Sequence, residues 1–158
     1  MKKYELTTDT KMVLGRKLFR IKALVSFGNV KIGDLGGYIE KEENLSQEGN
    51  AWVSGNAWVS GNAKVSGNTW VSGNSEVSGN AEVSGNADYA TAQGFGSVYR
   101  VTTFFREKTG EVGVKCGCFY GTLAEFRKKV KETHGDSKKA KEYLMLADLM
   151  EYRFSDDE

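Results

Sequence analysis

Six valines fall at intervals of six along this chain: Val53, Val59, Val65, Val71, Val77 and Val83. Six is a multiple of the two-residue strand repeat, so in extended backbone all of these valines face one side. Two residues before each stands a small side chain, Ala51, Ala57, Ala63, Thr69, Ser75 or Ala81, and Ser-Gly-Asn follows each. Gly enters positive φ freely, and Asn is among the few other residues that do so cheaply, so the Gly-Asn pair predicts a corner. A short strand and a corner, repeated, make a coil. A flexible Gly/Ser linker has no reason to keep a valine in phase.

From Gln47 to Gly94 the pattern resembles the left-handed hexapeptide β-helix family. The resemblance implies three hexads per turn, with Val53 over Val71, Val59 over Val77 and Val65 over Val83, about 4.8 Å apart. Corner Asn side chains are then expected to form amide ladders. The expected fold class is a β-solenoid, a left-handed parallel β-helix, with a small C-terminal α+β domain. The expected divisions are a cap and irregular first coil over residues 1–46, regular hexads over 47–94, and a C-terminal domain over 95–158.

The residue before each valine varies and points outward: Trp52, Trp58, Lys64, Trp70, Glu76, Glu82 and, one hexad on, Asp88. Folded at eighteen residues, Trp52, Trp70 and Asp88 share one face, Trp58 and Glu76 a second, Lys64 and Glu82 a third. Exposed tryptophan needs a cover or a use. Flanking segments of the chain, a second copy, or a ligand or partner using the indoles as a platform are three open readings. Trp52, Trp58, Trp70 and Lys64 are candidate binding residues on this wall.

With 22 basic and 21 acidic side chains, the net charge of +1 creates no global field for nucleic acid or membrane surfaces. No run is long and apolar enough to span a bilayer, and MKKYELTTDTK has no apolar core of a secretory signal. Cys116 and Cys118, one residue apart, are poorly placed for a disulfide. The expected location is the cytoplasm.

Both ends predict caps. Phe19, Ile21, Ala23 and Val25 alternate with Arg20, Lys22 and Leu24, a strand signal. GNVKIGDLGGYIEKEENL predicts an irregular coil, with turns at Gly33, Gly36 and Gly37 and with Val30, Ile32, Leu35, Ile39 and Leu45 as core. Beyond Gly94, Val98 to Arg106 and Val112 to Cys116 predict a hairpin. Thr122 with Glu125 forms a capping box for a helix whose inner stripe is Leu123, Phe126 and Val130. Gly135 stops it, and Asp136 or Ser137 starts a second helix with Ala140, Tyr143, Leu144, Ala147 and Met150 on one face. Leu146, Leu149 and Phe154 widen that face. The expected module is ββαα, followed by an acidic tail, Ser155 to Glu158.

Many enzymes of the hexapeptide family are acyltransferases that use a histidine base. Here the one histidine, His134, lies outside the repeat, and no loop interrupts the hexads. No catalytic residue and no cofactor are expected. Cys116, Cys118 and His134 offer three zinc-type ligands without a fourth, so structural thiols are the preferred reading over a metal site. Arg127, Lys128 and Lys131 head a basic cluster diluted by Glu125, Glu132, Asp136 and Glu142. A solvated helix face is the default, with a partner or nucleic acid as the functional alternative.

GRKLFRIKAL, VKIGDLGGYIEKEENLSQEGNAWV, the hexads and CGCFYGTLAEFRKKVKETHGD together resemble a group of small bacteriophage and prophage hexapeptide-repeat proteins. The resemblance implies no catalytic residues. It implies a phage-type interaction protein in the host cytoplasm that self-associates and binds a host protein, acting as an anti-defence inhibitor by stoichiometric binding. A nucleotide-sequestering sponge and a purely structural self-assembling β-helix are the alternatives.

Overall fold

A computed structural model describes residues 2–96 and 100–155. The chain opens with a long antiparallel hairpin, β1 (Tyr4–Val13) and β2 (Arg16–Ala23), and β3 (Leu35–Ile39) continues it antiparallel to β2. The hexads follow as six two-residue strands: β4 (Trp52–Val53), β5 (Trp58–Val59), β6 (Lys64–Val65), β7 (Trp70–Val71), β8 (Glu76–Val77) and β9 (Glu82–Val83). Then come β10 (Tyr89–Phe95), β11 (Arg100–Arg106), β12 (Val112–Cys116) and β13 (Phe119–Thr122), an antiparallel sheet in chain order, and helices α1 (Leu123–His134) and α2 (Lys138–Arg153).

Residues eighteen apart in the hexads pair in parallel: Trp52 with Trp70, Trp58 with Glu76, Lys64 with Glu82, and the valines beside them likewise. All six valines are buried. Where Thr69 and Ser75 replace Ala at the small inward position, their hydroxyls donate to Ser66 O (2.8 Å) and Ser72 O (2.7 Å), so neither enters the core unpaired.

The fold class expected from the repeat is nonetheless corrected. The long strands, ten residues in β1, eight in β2 and seven each in β10 and β11, are antiparallel. The hexads supply only short ladders, one of which joins the hairpin in a mixed sheet ordered β1-β2-β3-β5-β8. The protein is α+β, built of mixed and antiparallel sheets with two helices, rather than a parallel β-helix with an appendage. The reason is local: the corner takes most of each hexad, and two residues remain to pair. The corner Gly, not the Asn, carries the turn; Gly49 through Gly79 at every sixth residue sit at φ between +61° and +70°. Among the described residues no corner Asn ladder forms: Asn62 accepts from Lys41 Nζ (3.2 Å) and Asn86 from the Trp70 N–H (3.0 Å).

The C-terminal module is ββββαα rather than ββαα, because β10 and β13 flank the expected hairpin. Val98 and the tail residues Asp156, Asp157 and Glu158 lie outside the described residues. This sheet is covered on both faces. Phe105 joins the valine core, and its neighbour Phe104 joins Phe126, Tyr143 and Ala147 beneath the helices. The Thr122–Glu125 capping box forms, and Ser137 caps α2 through Ala140 N–H. Val30, Ile39 and Leu45 are core, whereas Ile32, Leu35 and Leu149 are exposed, which corrects their expected burial.

Asp88 fastens the last hexad to the C-terminal module. It accepts from the Ser84 N–H and hydroxyl, each at 3.0 Å, and from Arg106 Nε at 3.2 Å; Arg106 also lies over the Phe154 ring. Burial alone would raise the Asp88 pKa, but Ser84 and Arg106 outweigh it and hold the carboxyl below its ordinary 3.8. A depressed folded pKa gives stability that is present above the unfolded value and lost as pH falls below it. Urea midpoints should therefore fall as pH drops from 5 to 3, and Asp88→Asn should flatten that part of the profile while lowering the midpoint at pH 7. Equal slopes in both proteins would be the contrary result.

Candidate ligand-binding cleft

The tryptophan wall is covered from within the chain. Trp52, 2% exposed, is met edge-on by Tyr4 (6.4 Å) and Phe27 (5.4 Å). Lys3 clamps this cover, its Nζ lying 4.8 Å from the Phe27 ring and donating to Ala51 O at 2.8 Å. Trp58, 6% exposed, packs with Leu18, Tyr38 and Val13 of the opening sheet. Trp70 is half-buried, and the Tyr89 hydroxyl donates to its carbonyl. The reading of Trp52 and Trp58 as an exposed surface for copies or partners is thus corrected, because β1, β2 and the loop at Phe27 fold over them.

The other candidates are scattered. Lys64 is exposed on a separate face, in a polar depression of about 650 Å³ shared with Glu43, Glu82, Asp88, Arg106 and Lys108. Arg127 is tied to Asp148 (2.9 Å) and Glu151 (2.8 Å), while Lys128 and Lys131 are exposed. Cys116, Cys118 and His134 share a second cavity, yet among the described residues no three of His, Cys, Asp and Glu are grouped to hold a metal ion.

One candidate, Trp58, lines a cleft of about 330 Å³ where three parts of the chain meet. The hairpin contributes Val13, Leu14, Arg16 and Leu18, the hexads Trp58, Ser60, Asn62, Ser78 and Asn80, and the C-terminal sheet Lys115, Cys118 and Tyr120. This volume lies at the lower end of small-ligand sites, which favour such junctions.

Lys115 is the central group. It sits in β12 on the face opposite Val114, so the strand alternation that aims Val114 at the helices aims Lys115 at the hexads. It is 4% exposed. Its Nζ donates to Gly117 O, lies 5.6 Å from the Trp58 ring centroid, and stands 3.8 Å from Glu76 Oε1. At 3.8 Å the ion pair is not a hydrogen bond, and Glu76 Oε1 is left without a partner. Burial dominates the ionisation of both groups. It pushes Lys115 below the ordinary lysine range and Glu76 above the ordinary carboxylate range, and each partner pulls the other partway back.

Ser78 completes the arrangement. It is 7% exposed, it lines the cleft, and its hydroxyl has no partner. A buried hydroxyl without a hydrogen bond costs about 1–3 kcal/mol. Ser78→Ala should accordingly raise stability by about 1 kcal/mol in a urea melt of the free protein; an unchanged or lowered midpoint would mean that the hydroxyl is paired.

The cleft lining includes two cations, Arg16 and Lys115, and no carboxylate, although each cation has an acidic partner just outside the lining: Arg16 bonds Glu40 Oε1 at 2.9 Å, and Lys115 stands 3.8 Å from Glu76 Oε1. Around them stand hydroxyl and amide groups, with Trp58, Leu18 and Tyr120 as flat or apolar walls. Such a set receives an anion and offers a ring a surface. Lys115 and Ser78 escaped the sequence reading, although VGVKC places a lysine where a strand covered on both faces has none to spare. Among the described residues no helix is long and apolar enough to cross a membrane. In comparisons with known proteins, no protein-family model and no curated sequence matches this chain.

Proposed function

We propose that the protein is a non-catalytic binder that captures a small anionic molecule carrying a flat ring, of the nucleotide class, in the cleft at Lys115. The observation that carries this reading is that a deeply buried ammonium and an unpartnered serine hydroxyl line the same cavity, whose lining includes no carboxylate. A buried polar group kept without a partner is destabilising unless a ligand uses it. The phage-type role expected from the sequence takes this form: stoichiometric sequestration of a host small molecule in the cytoplasm, rather than docking of a host protein on the tryptophans. The purely structural, self-assembling alternative loses its main surface, since Trp52 and Trp58 are covered within one chain.

Calorimetry with AMP, GMP, inorganic phosphate and uncharged adenosine tests it. The nucleotides should bind one per chain and be recovered unchanged, with adenosine at least tenfold weaker. Lys115→Met should weaken the nucleotides at least thirtyfold, the loss of a buried charge-assisted contact of about 2 kcal/mol. Equal binding of adenosine and AMP, no binding of any anion, or turnover of the nucleotide would overturn the reading.

A further inference from the structure

We infer that the second cavity, between α1 and the C-terminal sheet, is a separate binding site for an amphipathic monoanion: a short aliphatic or aromatic carboxylate. It holds about 320 Å³. Its body is apolar. Phe126 and Val130 project from successive turns of α1, Phe119 comes from β13, and Tyr143 from α2 closes the end. The rings meet at 5.9 Å (Phe119 with Phe126) and 5.6 Å (Phe126 with Tyr143) and so form a walled box rather than a gap between loose side chains.

Its polar groups are the Thr133 hydroxyl, the Tyr143 phenol, two thiols and, at its exposed rim, the cations of Arg100 and Lys129 beside His134. Arg100, Lys129 and His134 line it, and no carboxylate does. Arg100 passes over Gly117, where a Cβ at this glycine would collide with the guanidinium, so the absence of a side chain there makes room for the charge. His134 stacks on Tyr143 at 5.8 Å. Cations around an apolar box repel an aliphatic amine and have nothing to pair with in a neutral alkane. A carboxylate head with an apolar tail satisfies both parts at once. The site does not depend on the Lys115 cleft; the two share only Cys118 in their linings.

Octanoate, octanol and octylamine, alike in tail and different in head, separate the possibilities. The methyl resonances of Val130 report occupancy, and those of Val83, in the hexad core, serve as the control. Octanoate should shift Val130 saturably, at least tenfold more tightly than octanol, and octylamine should not compete. Lys129→Glu with Arg100→Glu should abolish the preference for octanoate while octanol still binds. The inference fails if octanol binds as well as octanoate, if octylamine binds best, or if Val130 does not respond. Because the comparison of head groups is made first on the unaltered protein, a variant that does not fold leaves the result intact.

Discussion

Asn44→Leu should unfold this protein more readily than the loss of any exposed side chain, by about 4 kcal/mol and on the order of 10 °C in Tm. Asn44 is fully buried and lies in the turn between the opening sheet and the hexads. Its Oδ1 accepts from the N–H groups of Glu40 (3.1 Å) and Lys41 (2.9 Å), and its Nδ2 donates to Gly61 O (3.1 Å) and Ala63 O (2.9 Å). Both ends of the amide are therefore used. Leucine has a similar volume and no polar atom. Glu40 N–H would retain its bond to Val59 O, but Lys41 N–H and the two carbonyls would lose their side-chain partner. The buried Ala63 carbonyl costs about 1–3 kcal/mol when orphaned, and the part-buried Lys41 N–H and Gly61 O add smaller amounts. Asn44→Asp, which keeps the acceptor and loses the donor, should fall between the two. A thermal melt of the three proteins decides it, and a Leu variant within 1 °C of the parent would show that water replaces the amide.

Gly36→Ala should cost roughly 3 kcal/mol, at the upper end of what overpacking exacts. β3 runs between β2 and the hexads, and a Cβ at Gly36 would stand 2.5 Å from Val53 O, 2.7 Å from Ile21 Cγ1 and 2.8 Å from Trp52 Cζ2. The first neighbour is backbone held in a ladder, and the others are core side chains with no free volume. Gly33 is the control. Nothing surrounds its missing Cβ, but its φ is +91°, so Gly33→Ala should cost only the conformational term of about 1 kcal/mol. Urea melts that rank the two the other way would place the constraint in the turn rather than in the packing of β3.

What could be read in the sequence was what repeats or is local. The spacing of the valines foretold that they share one inward face, the resemblance to three-hexad turns foretold which of them pair, and Thr122 with Glu125 foretold where α1 starts. None of these depends on distant residues. The class of the fold did depend on them. β1, YELTTDTKMV, has no clean alternation, because much of it stays accessible on both sides. It is defined by its pairing with β2, which a hydrophobic period does not record. Which of the open readings held for Trp52 and Trp58 was undecided for a similar reason. Their outward direction was correct, but the Tyr4 that covers Trp52 lies 48 residues away in the chain. The site was less legible still. Lys115 stood among many lysines, and only the sheet's second covered face makes it unusual.

The cleft draws its walls from the beginning, the middle and the end of the chain, and this sets an order in time. Arg16 leaves the ribosome first, Trp58 and Ser78 follow, and Lys115 comes about a hundred residues after Arg16, roughly 5–20 s later at ordinary rates of synthesis. The hairpin and the hexads can settle against each other during that interval, yet they bound only part of the cavity. A chain stopped before Lys115 lacks the third wall of the cavity, so the capture proposed above requires synthesis to have passed Tyr120.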